Sequence, residues 1–150
     1  MKIRAAEIKD LEQLTRLFDG YRVFYRKSSN VNAAKQFLTE RLERGDSEIY
    51  VAETEKDILV GFVQLYPLFS STRMKRLWLL NDLFVDATFR GKGIAIELIE
   101  RAKQLVRDTD ACGMYLETEK SNTVGNRLYP KVGFKLNEVA NFYEWSAADA

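Results

Sequence analysis

The stretch Phe-Arg-Gly-Lys-Gly-Ile-Ala, residues 89–95, lies between a run typical of a β-strand, residues 77–85, and the most amphipathic helical segment, residues 94–107. A helix N-terminus presents unpaired N–H groups and a partial positive charge, and glycine lets a ligand come close to the backbone. Arg90 and Lys92 add positive charge to a chain whose formal net charge is only +1. The stretch therefore predicts a strand, turn and helix that bind a pyrophosphate or another bulky anion.

A glycine-containing turn between a strand and a helix also occurs where nothing binds, so a plain turn stays an alternative on these residues alone. Two nucleotide-binding motifs do not fit. A dinucleotide-binding Gly-x-Gly-x-x-Gly motif would need glycine where Ile96 stands, and the Gly-Lys-Ser/Thr sequence of a P-loop is missing. The turn belongs to another phosphate-binding class or binds no ligand.

Length and composition predict one globular domain spanning residues 1–150. The 150 residues are 46% hydrophobic and 30% charged, which suffices for a core without metals or disulfides. The 23 basic and 22 acidic residues are interspersed and form no basic stripe, so we expect no nucleic-acid or membrane partner. No apolar run approaches the roughly 20 residues that cross a bilayer.

Histidine is absent from the sequence, and Cys112 is the single cysteine. Serine–histidine and cysteine–histidine catalytic sites and histidine-ligated zinc sites are therefore excluded, and we expect no metal. One cysteine cannot form an internal disulfide, and the start of the chain lacks the apolar core of a signal peptide. These features favour a reducing cytoplasm.

Hydrophobic spacing predicts two helices after a first strand at residues 3–5. The first helix begins at Asp10, with Gln13 completing a capping box, and ends or bends at Gly20. The second ends at Gly45. Its candidate N-caps are Asn30 and Asn32.

Strand patterns dominate the rest of the chain. Residues 49–52 and 58–66 are rich in β-branched and aromatic residues and predict a hairpin across the polar residues 54–57. Further predicted elements are a strand at 77–85, the amphipathic helix, a strand at 114–118, a helix at 122–129 and closing strands at 134–136 and 142–145. This order predicts an α/β layer arrangement with a mixed sheet.

The glycine turn also matches a pattern of a known family. Arg90, Gly93 and Ala95 meet the pattern Arg/Gln-x-x-Gly-x-Gly/Ala, with which the Gcn5-related N-acetyltransferase (GNAT) family clasps the pyrophosphate of coenzyme A. The chain resembles that family in element order as well. Residues 62–67 and 77–85 look most like the branch containing the yeast histone and polyamine acetyltransferase-like proteins. The resemblance implies a GNAT fold, a mixed and mostly antiparallel sheet of six to seven strands flanked by about four helices, and acetyl-CoA as cofactor.

A second signature of the family lies further along the chain. It consists of an asparagine, a tyrosine seven residues later and then a Gly-Phe pair, and it is met by Asn122, Tyr129, Gly133 and Phe134. The resemblance covers essentially the whole chain. It implies an acetyl-CoA-dependent N-acetyltransferase.

The resemblance also assigns the cofactor contacts. It implies that Leu83, Phe84 and Val85 use backbone groups to pair with the pantetheine arm, as though it were an added strand. A diverging pair of strands leaves such groups unpaired, while the side chains belong to a core strand. The expected cofactor-binding residues are Leu83, Phe84, Val85, Arg90, Gly91, Lys92, Gly93, Ile94, Ala95, Asn122 and Tyr129.

Tyr129 is the candidate general acid that protonates the departing thiolate of coenzyme A, since a phenol can share a proton with a thiol of pKa near 8.5. Pro130 departs from the family pattern, and proline biases the residue before it away from helical φ/ψ. We therefore expect Pro130 to affect the aim of the Tyr129 hydroxyl. Asn122 has two candidate roles, a cofactor contact and a plain N-cap of the short helix, and the two do not exclude each other.

A protonated amine must lose a proton before it attacks a thioester, and a chain without histidine leaves carboxylates or water for that task. Asp82 and Glu117 are the candidate carboxylates, with a structural role as the alternative for each. On the two-residue period of a strand, at most one of Asn81 and Asp82 faces the cleft. Related polyamine enzymes carry an acidic residue where Asn81 stands, which disfavours a strongly cationic acceptor here.

The region around Tyr21 and Tyr25 lines the acceptor site in this family, so both tyrosines and Asn81 are the candidate substrate-binding residues. The predicted reaction is direct transfer of acetyl from acetyl-CoA to a primary amine of a small molecule, such as an amino acid or a polyamine. A non-catalytic acyl-CoA-binding module and an enzyme acting on protein lysines or N-termini stay alternatives. Edge strands near residues 142–145 suggest a homodimer.

Overall fold

The computed structural model describes residues 1–148. The chain divides into two compact units, Met1–Glu117 and Thr118–Ala150. The strands are β1 (Lys2–Ala5), β2 (Glu48–Glu53), β3 (Leu59–Ser70), β4 (Lys75–Val85) and β5 (Met114–Tyr115). The α-helices are α1 (Leu11–Phe24), α2 (Val31–Arg44), α3 (Ile94–Asp108) and α4 (Thr123–Lys131). None of these helices is long and apolar enough to cross a membrane.

The first unit is built on one mixed sheet with the strand order β1-β2-β3-β4-β5. The first four strands pair antiparallel, and β5 pairs parallel with β4. The α/β class, the mostly antiparallel sheet and the four helices are confirmed. The predicted hairpin is confirmed as β2 and β3, with Tyr50 opposite Val63.

The sheet has five strands in residues 1–148, so the predicted number of six to seven was too high. The expected strands at 134–136 and 142–145 do not form, and the one at 114–118 shrinks to Met114–Tyr115. Phe142 and Trp145 are exposed. Aromatic residues favour a strand, but a strand also needs a neighbouring edge to take up its N–H groups.

Helices cover both faces of the sheet in the first unit. Because successive residues of a strand face opposite sides, Phe62 packs under α1, where it lies 6.1 Å from the Phe18 ring. A Cβ at the neighbouring Gly61 would stand 3.3 Å from Leu98 of α3 and 3.0 Å from the Phe84 carbonyl oxygen. Glycine at this position therefore lets α3 approach the sheet without crowding. Between α1, α2 and the sheet lies a core that includes Leu14, Leu17, Leu38, Val51 and Leu59.

The start of α1 differs from the predicted capping box. The Asp10 carboxylate accepts hydrogen bonds from Arg4 and from the backbone N–H of Glu7, at 2.7 and 2.8 Å, instead of capping the helix. Gln13 reaches across to β3, where its Oε1 accepts from Leu59 N at 2.9 Å. These polar residues therefore join the helix start to the sheet.

Gly20 neither ends nor bends α1, which continues to Phe24. A Cβ at Gly20 would lie 3.5 Å from the Phe84 ring, so the glycine brings that ring close to the helix backbone. The second helix follows its prediction. Asn30 caps α2 by accepting from Ala33 N at 3.1 Å, and Gly45 ends it in the left-handed conformation at φ 60°.

Candidate functional site

Strand β4 contains a β-bulge. Gln64 of β3 lies opposite Asp82, but the next residue, Leu65, lies opposite Leu80. Asn81 is thus an extra residue with no partner in the register of β3. A bulge of this kind changes which side of the strand the backbone groups face.

Backbone hydrogen bonds on either side of the bulge show that change. Before it, Trp78 N donates to Gly113 O at 3.1 Å, toward β5. Beyond it, Asp86 N donates to Val60 O at 2.8 Å, toward β3. Even-numbered residues therefore face β5 in the first half of β4 and β3 in the second half, because the N–H and C=O groups of one strand residue point to the same side.

The second half of β4 consequently offers an open backbone edge. Leu83 and Val85 face away from β3, whereas β5 pairs only with Trp78 and Leu79. In the described part of the chain, no strand covers the edge at Leu83 and Val85. The Val85 carbonyl accepts a hydrogen bond from Arg90 Nε at 2.9 Å. This edge is suited to an extended ligand that pairs like a strand.

The turn after β4 supplies unpaired N–H groups. Gly91 and Gly93 have φ angles of 78° and 81°, which favour glycine. A Cβ at either position would have open space among the described residues. Gly93 stands at the N-cap of α3 and has no side chain to cap it, so the first N–H groups of the helix, at Ile94 and Ala95, have no intrahelical partner. This is the geometry of an anion site.

Two cations flank the turn. The Arg90 guanidinium lies 5.4 Å from the ring centroids of both Phe24 and Phe84, while its Nε donates to the Val85 carbonyl. The Lys92 ammonium lies 5.1 Å from the Phe89 ring centroid. Arg90 is thus held at the junction of the open edge and the turn.

Asp82 is buried next to the bulge, and its carboxylate accepts several hydrogen bonds. Its Oδ2 accepts from Gln64 Nε2 at 2.7 Å, its Oδ1 accepts from Asn81 Nδ2 at 3.1 Å, and the Tyr21 hydroxyl also bonds to it. Gln64, itself 0% exposed, accepts in turn from Ser47 Oγ at 2.9 Å. Asp82 is 4% exposed, and among the residues that the structure describes its carboxylate accepts hydrogen bonds from neutral donors alone.

Burial with only neutral partners affects the pKa of the Asp82 carboxyl. Burial raises the pKa of the Asp82 carboxyl above its ordinary value, and the hydrogen bonds from Gln64, Tyr21 and Asn81 only partly oppose that shift. Burial also raises the pKa of Tyr66 to about 12, with a further contribution from the negative charge of Asp82. A carboxyl with a raised pKa is a common feature of groups that exchange protons at neutral pH.

Aromatic side chains from α1 line the region in front of the bulge. Tyr21 and Tyr25 lie edge to face with centroids 5.2 Å apart, and Tyr21 also contacts Phe84 at 6.3 Å. The Tyr21 hydroxyl donates to the Asn81 carbonyl at 3.3 Å. Asn81 is exposed on the bulge while Asp82 points under α1, so the two residues point in different directions, as the strand period predicts.

The structure therefore connects seven of the predicted site residues of the first unit. Through the contacts described above, Tyr21, Tyr25, Asn81, Asp82, Phe84, Val85 and Arg90 form one continuous set. Glu117 stands apart, exposed at the end of that unit.

The second unit contains Asn122 at the start of α4. Its Oδ1 accepts from Gly125 N at 3.0 Å, which is an N-cap, and its Nδ2 donates to Thr118 Oγ1 at 2.9 Å. A Cβ at Gly125 would stand 2.5 Å from the Asn122 Nδ2. The capping role of Asn122 is confirmed, and it requires glycine at 125.

Tyr129 lies inside α4, which continues through Pro130 to Lys131, so the expected bias of Tyr129 away from helical geometry is not realised. The helix end is held by bonds from Val132 N to Leu128 O at 3.1 Å and from Phe134 N to Tyr129 O at 2.9 Å. These bonds offset the local preference that proline imposes. The Tyr129 and Phe134 rings pack edge to face at 5.7 Å.

Comparison with known proteins identifies the family. A model described as the acetyltransferase (GNAT) family matches residues 11–134. The chain belongs to the GNAT family. Membership makes it an acetyl-CoA-dependent N-acetyltransferase.

Individual GNAT relatives agree with this assignment over nearly the full length. The chain is 42% identical over 135 residues to YhfO of Bacillus subtilis, described as an uncharacterized N-acetyltransferase, covering 90% of each chain. It is 32% identical over 146 residues to a probable acetyltransferase of Haemophilus influenzae, covering 97% of this chain and 98% of the other. A crystal structure of a probable acetyltransferase superposes with a TM-score of 0.95 at 38% identity and covers 100% of both chains.

Three residues that support the candidate site were not predicted from the sequence. Gln64 and Ser47 support Asp82, and Gly125 makes room for Asn122. A signal for Gln64 exists, since it is the one amide in the otherwise apolar run 59–66. A buried amide needs a partner, and the partner lies on the neighbouring strand.

Proposed function

We propose that this GNAT protein transfers an acetyl group from acetyl-CoA directly to a primary amine of a small molecule, such as an amino acid, a polyamine or a related amine, in a ternary complex. The observation that carries the proposal is the open backbone edge of β4 at Leu83 and Val85, which leads into the Gly91–Gly93 turn. One surface thus offers strand-like pairing and an anion site in series. Coenzyme A needs both, because its extended amide-containing arm ends in a pyrophosphate.

The proposed cofactor contacts divide between backbone and side chains. Backbone groups of Leu83 and Val85 pair with the arm, with Phe84 between them contributing its ring to the α1 side. The N–H groups of the turn and of the first turn of α3 receive the pyrophosphate, and Arg90 and Lys92 add charge. The residues proposed at the pyrophosphate are Arg90, Gly91, Lys92, Gly93, Ile94 and Ala95. Acetyl-CoA supplies an acyl thioester to this site.

In the second unit, we assign Tyr129 as the acid that protonates the departing thiolate and Asn122 as a further cofactor contact. Motif position supports both assignments. The Asn122 side chain also caps α4 and donates to Thr118. Its cofactor contact therefore uses the hydrogen-bonding groups that these two bonds leave available. A neutral phenol can donate a proton to a departing thiolate.

The acceptor is proposed to bind at Tyr21, Tyr25 and Asn81. Aromatic faces attract an ammonium group, and the Asn81 side chain adds a neutral polar contact instead of a second negative charge. This combination favours an amine of low positive charge over a strongly cationic one. Holding the amine beside the thioester, with its carbonyl polarised by a backbone N–H of β4, provides most of the rate.

The proposal is tested by measuring thiol release from acetyl-CoA across a panel of amines. The panel contains amino acids of both configurations, diamines, polyamines, a lysine peptide and a peptide with a free N-terminus. We expect turnover with small amines. Peptide acetylation alone would favour the protein-directed alternative, and tight cofactor binding without any turnover would favour a non-catalytic acyl-CoA module.

The role of Tyr129 is tested with Tyr129→Phe. Loss of the hydroxyl is expected to lower kcat by about 10²- to 10⁴-fold with little change in the Kd of acetyl-CoA, because general acid catalysis typically contributes that much. Steady-state kinetics and calorimetric titration measure the two quantities. Unchanged kcat would remove Tyr129 as the acid.

The pyrophosphate assignment is tested with Gly93→Asp, for which the chain provides a matched control. Gly45 shares the left-handed conformation, φ 60° against 81°, and the open surroundings of Gly93, so Gly45→Asp introduces the same strain and charge away from the turn. We expect the Kd of coenzyme A to rise by about 100-fold in Gly93→Asp, or about 2.8 kcal/mol, and to stay near wild type in Gly45→Asp. Equal Kd values in the two variants would contradict the assignment.

Three further expectations belong to this proposal. One N-acetyltransferase domain of residues 1–150 is supported by the family match, which spans residues 11–134. A homodimer is supported by exposed apolar side chains such as Phe142, Tyr143 and Trp145, and light scattering tests it. A cytoplasmic location is supported by the composition, and fractionation tests it. Asp82 and Glu117 are the proposed carboxylate candidates for the base.

A further inference from the structure

We propose that Tyr21 and Asp82 together accept the proton of the acceptor amine, with the Tyr21 hydroxyl touching the amine and Asp82 receiving the proton behind it. This inference rests on the acetyl transfer proposed above. It concerns a step that acetyl transfer requires, because an amine protonated at neutral pH has no lone pair with which to attack.

The position of Tyr21 makes the pairing possible. Its hydroxyl lies at the bulge, between the Asn81 carbonyl at 3.3 Å and the buried Asp82 carboxylate. The side chain is half-buried, whereas Asp82 is enclosed. Tyr21 therefore stands between a buried proton acceptor and the region in which the acceptor amine is proposed to bind.

The hydrogen-bond chemistry of a carboxylate orients the surrounding groups. An ionised carboxylate only accepts, so Gln64 and Asn81 must turn their amide N–H groups toward Asp82, as the 2.7 and 3.1 Å bonds show. The Tyr21 hydroxyl bonds both to the Asn81 carbonyl at 3.3 Å and to Asp82, and the carboxylate is the stronger acceptor of the two. The lone pairs of the Tyr21 oxygen and the Asn81 side-chain oxygen are then directed to an incoming ammonium group.

The proton transfer balances without another reactant. One N–H bond of the ammonium group breaks and a new O–H bond forms at the Tyr21 oxygen, while the original Tyr21 O–H bond breaks and an O–H bond forms at Asp82. The ammonium becomes a neutral amine, the carboxylate becomes a carboxylic acid, and Tyr21 stays neutral throughout. After acetyl transfer, Asp82 returns its proton to solvent by the reverse route. The second proton lost by the nitrogen replaces the one that Tyr129 gives to the departing thiolate.

The surroundings of Asp82 suit a proton acceptor at neutral pH. The groups that face it are Tyr21 from α1, Gln64 and Tyr66 from β3, and the adjacent Asn81. None of them is a cation that would hold the carboxylate ionised, and burial raises its pKa. The nearby charges of Arg41 and Asp46 act on Tyr66 and oppose each other.

The experiment compares pH profiles of kcat/KM for wild type, Tyr21→Phe, Asp82→Asn and the double variant, using an amine active in the panel. We expect an acidic limb in wild type, a loss of about 10²- to 10⁴-fold at pH 7 in each single variant, and little further loss in the double variant. In the variants, the profile should follow only the ionisation of the amine in solution. Tyr66→Phe removes the other phenol near Asp82 and should keep the wild-type profile.

A second acceptor separates proton transfer from structural support. A fluorinated primary amine of similar size is already neutral at pH 7, so Tyr21→Phe and Asp82→Asn should acetylate it at rates within about threefold of wild type, since general-base assistance is then unnecessary. Equal losses with the protonated and the neutral amine would overturn the proton path. An acidic limb that persists in Asp82→Asn with the midpoint of wild type, instead of the midpoint of the amine itself, would overturn it as well.

Failure of this inference can be distinguished from failure of the proposed function. A wild-type protein that acetylates no amine overturns both. An active wild type whose Tyr21→Phe variant keeps the normal profile overturns only the proton path. Tyr21→Phe changes a half-buried hydroxyl outside the sheet, and it therefore carries the test even if Asp82→Asn fails to fold, as judged by thermal melting.

Discussion

The two halves of β4 belong to one continuous strand but are built differently. The first half lies between β3 and β5, and its buried Trp78 donates from its indole Nε1 to Thr109 Oγ1 of the α3 end at 2.9 Å. The second half pairs with β3 alone, carries the bulge at Asn81 and buries the carboxylate of Asp82. One half is held by side chains and two strand neighbours, while the other keeps its outer backbone edge open.

This difference shows how a single extra residue makes a sheet strand available to a ligand. Without Asn81, the backbone groups of each residue beyond it would face the other way. With Asn81, the groups of Leu83 and Val85 face outward, and Asp82 meets Gln64 and Tyr21 on the α1 side. The bulge thus serves both the proposed cofactor edge and the proposed proton path.

Deleting Asn81 should have the largest effect. Closing the bulge forces Asp82 and Phe84 onto the wrong face or shifts β4 against β3, so we expect the free energy of unfolding to fall by more than about 4 kcal/mol and coenzyme A binding to be lost. Urea denaturation and calorimetric titration measure these quantities. Asn81→Ala keeps the residue count and should retain both within about 1 kcal/mol. A deletion variant of normal stability would show that the bulge is dispensable.

Shortening one side chain in each half of β4 should distinguish the structural role of the first half from the proposed cofactor-binding role of the second. Trp78 is 4% exposed, and Trp78→Ala is expected to cost about 3–5 kcal/mol of unfolding free energy because it leaves a cavity and removes the indole donor from Thr109 Oγ1. Leu83 is only half-buried, so Leu83→Ala should cost about 1–2 kcal/mol. Its affinity for coenzyme A should stay within about threefold, since the backbone makes the contact. A large affinity loss in Leu83→Ala would assign the contact to the side chain instead.

The smallest expected effect is a pH dependence of stability that differs in sign between two buried carboxyls. Burial raises the pKa of Asp82, so its contribution is fully present below the unfolded pKa and is lost as pH rises through the folded pKa. At the opposite edge of the sheet, the hydrogen bond from Arg4 lowers the pKa of Asp10. That contribution is present above the unfolded pKa and is lost as pH falls through the folded one.

Urea midpoints of wild type, Asp82→Asn and Asp10→Asn between pH 3 and pH 8 measure these contributions. The stability advantage of wild type over Asp82→Asn should shrink as pH rises, and its advantage over Asp10→Asn should shrink as pH falls. Parallel curves for all three proteins would contradict both assignments.

Local patterns predicted the features that depend on neighbouring residues. The turn at 89–95 followed from glycines placed before an amphipathic helix, and the caps at Asn30, Gly45 and Asn122 followed from residue type and position. The same reasoning failed at residues 142–145, where an aromatic-rich run pairs with no strand of residues 1–148, and at Pro130, where bonds at the helix end outweigh a dipeptide preference. Each failure involves a partner that the local sequence does not contain.

By itself, the sequence determined the α/β class, the glycine turn and the two motifs that place the chain in the GNAT family, because these depend on residue type and on spacings of a few positions. Only the tertiary structure decided that Asn81 is a bulge, that Leu83 and Val85 face an open edge, and that Asp82 meets Gln64 and Tyr21. The physical reason is that backbone direction and burial depend on register between strands. Register joins residues 18 positions apart in the Gln64–Asp82 bond, and the packing of α1 on the sheet joins residues 60 positions apart in the Tyr21–Asn81 bond.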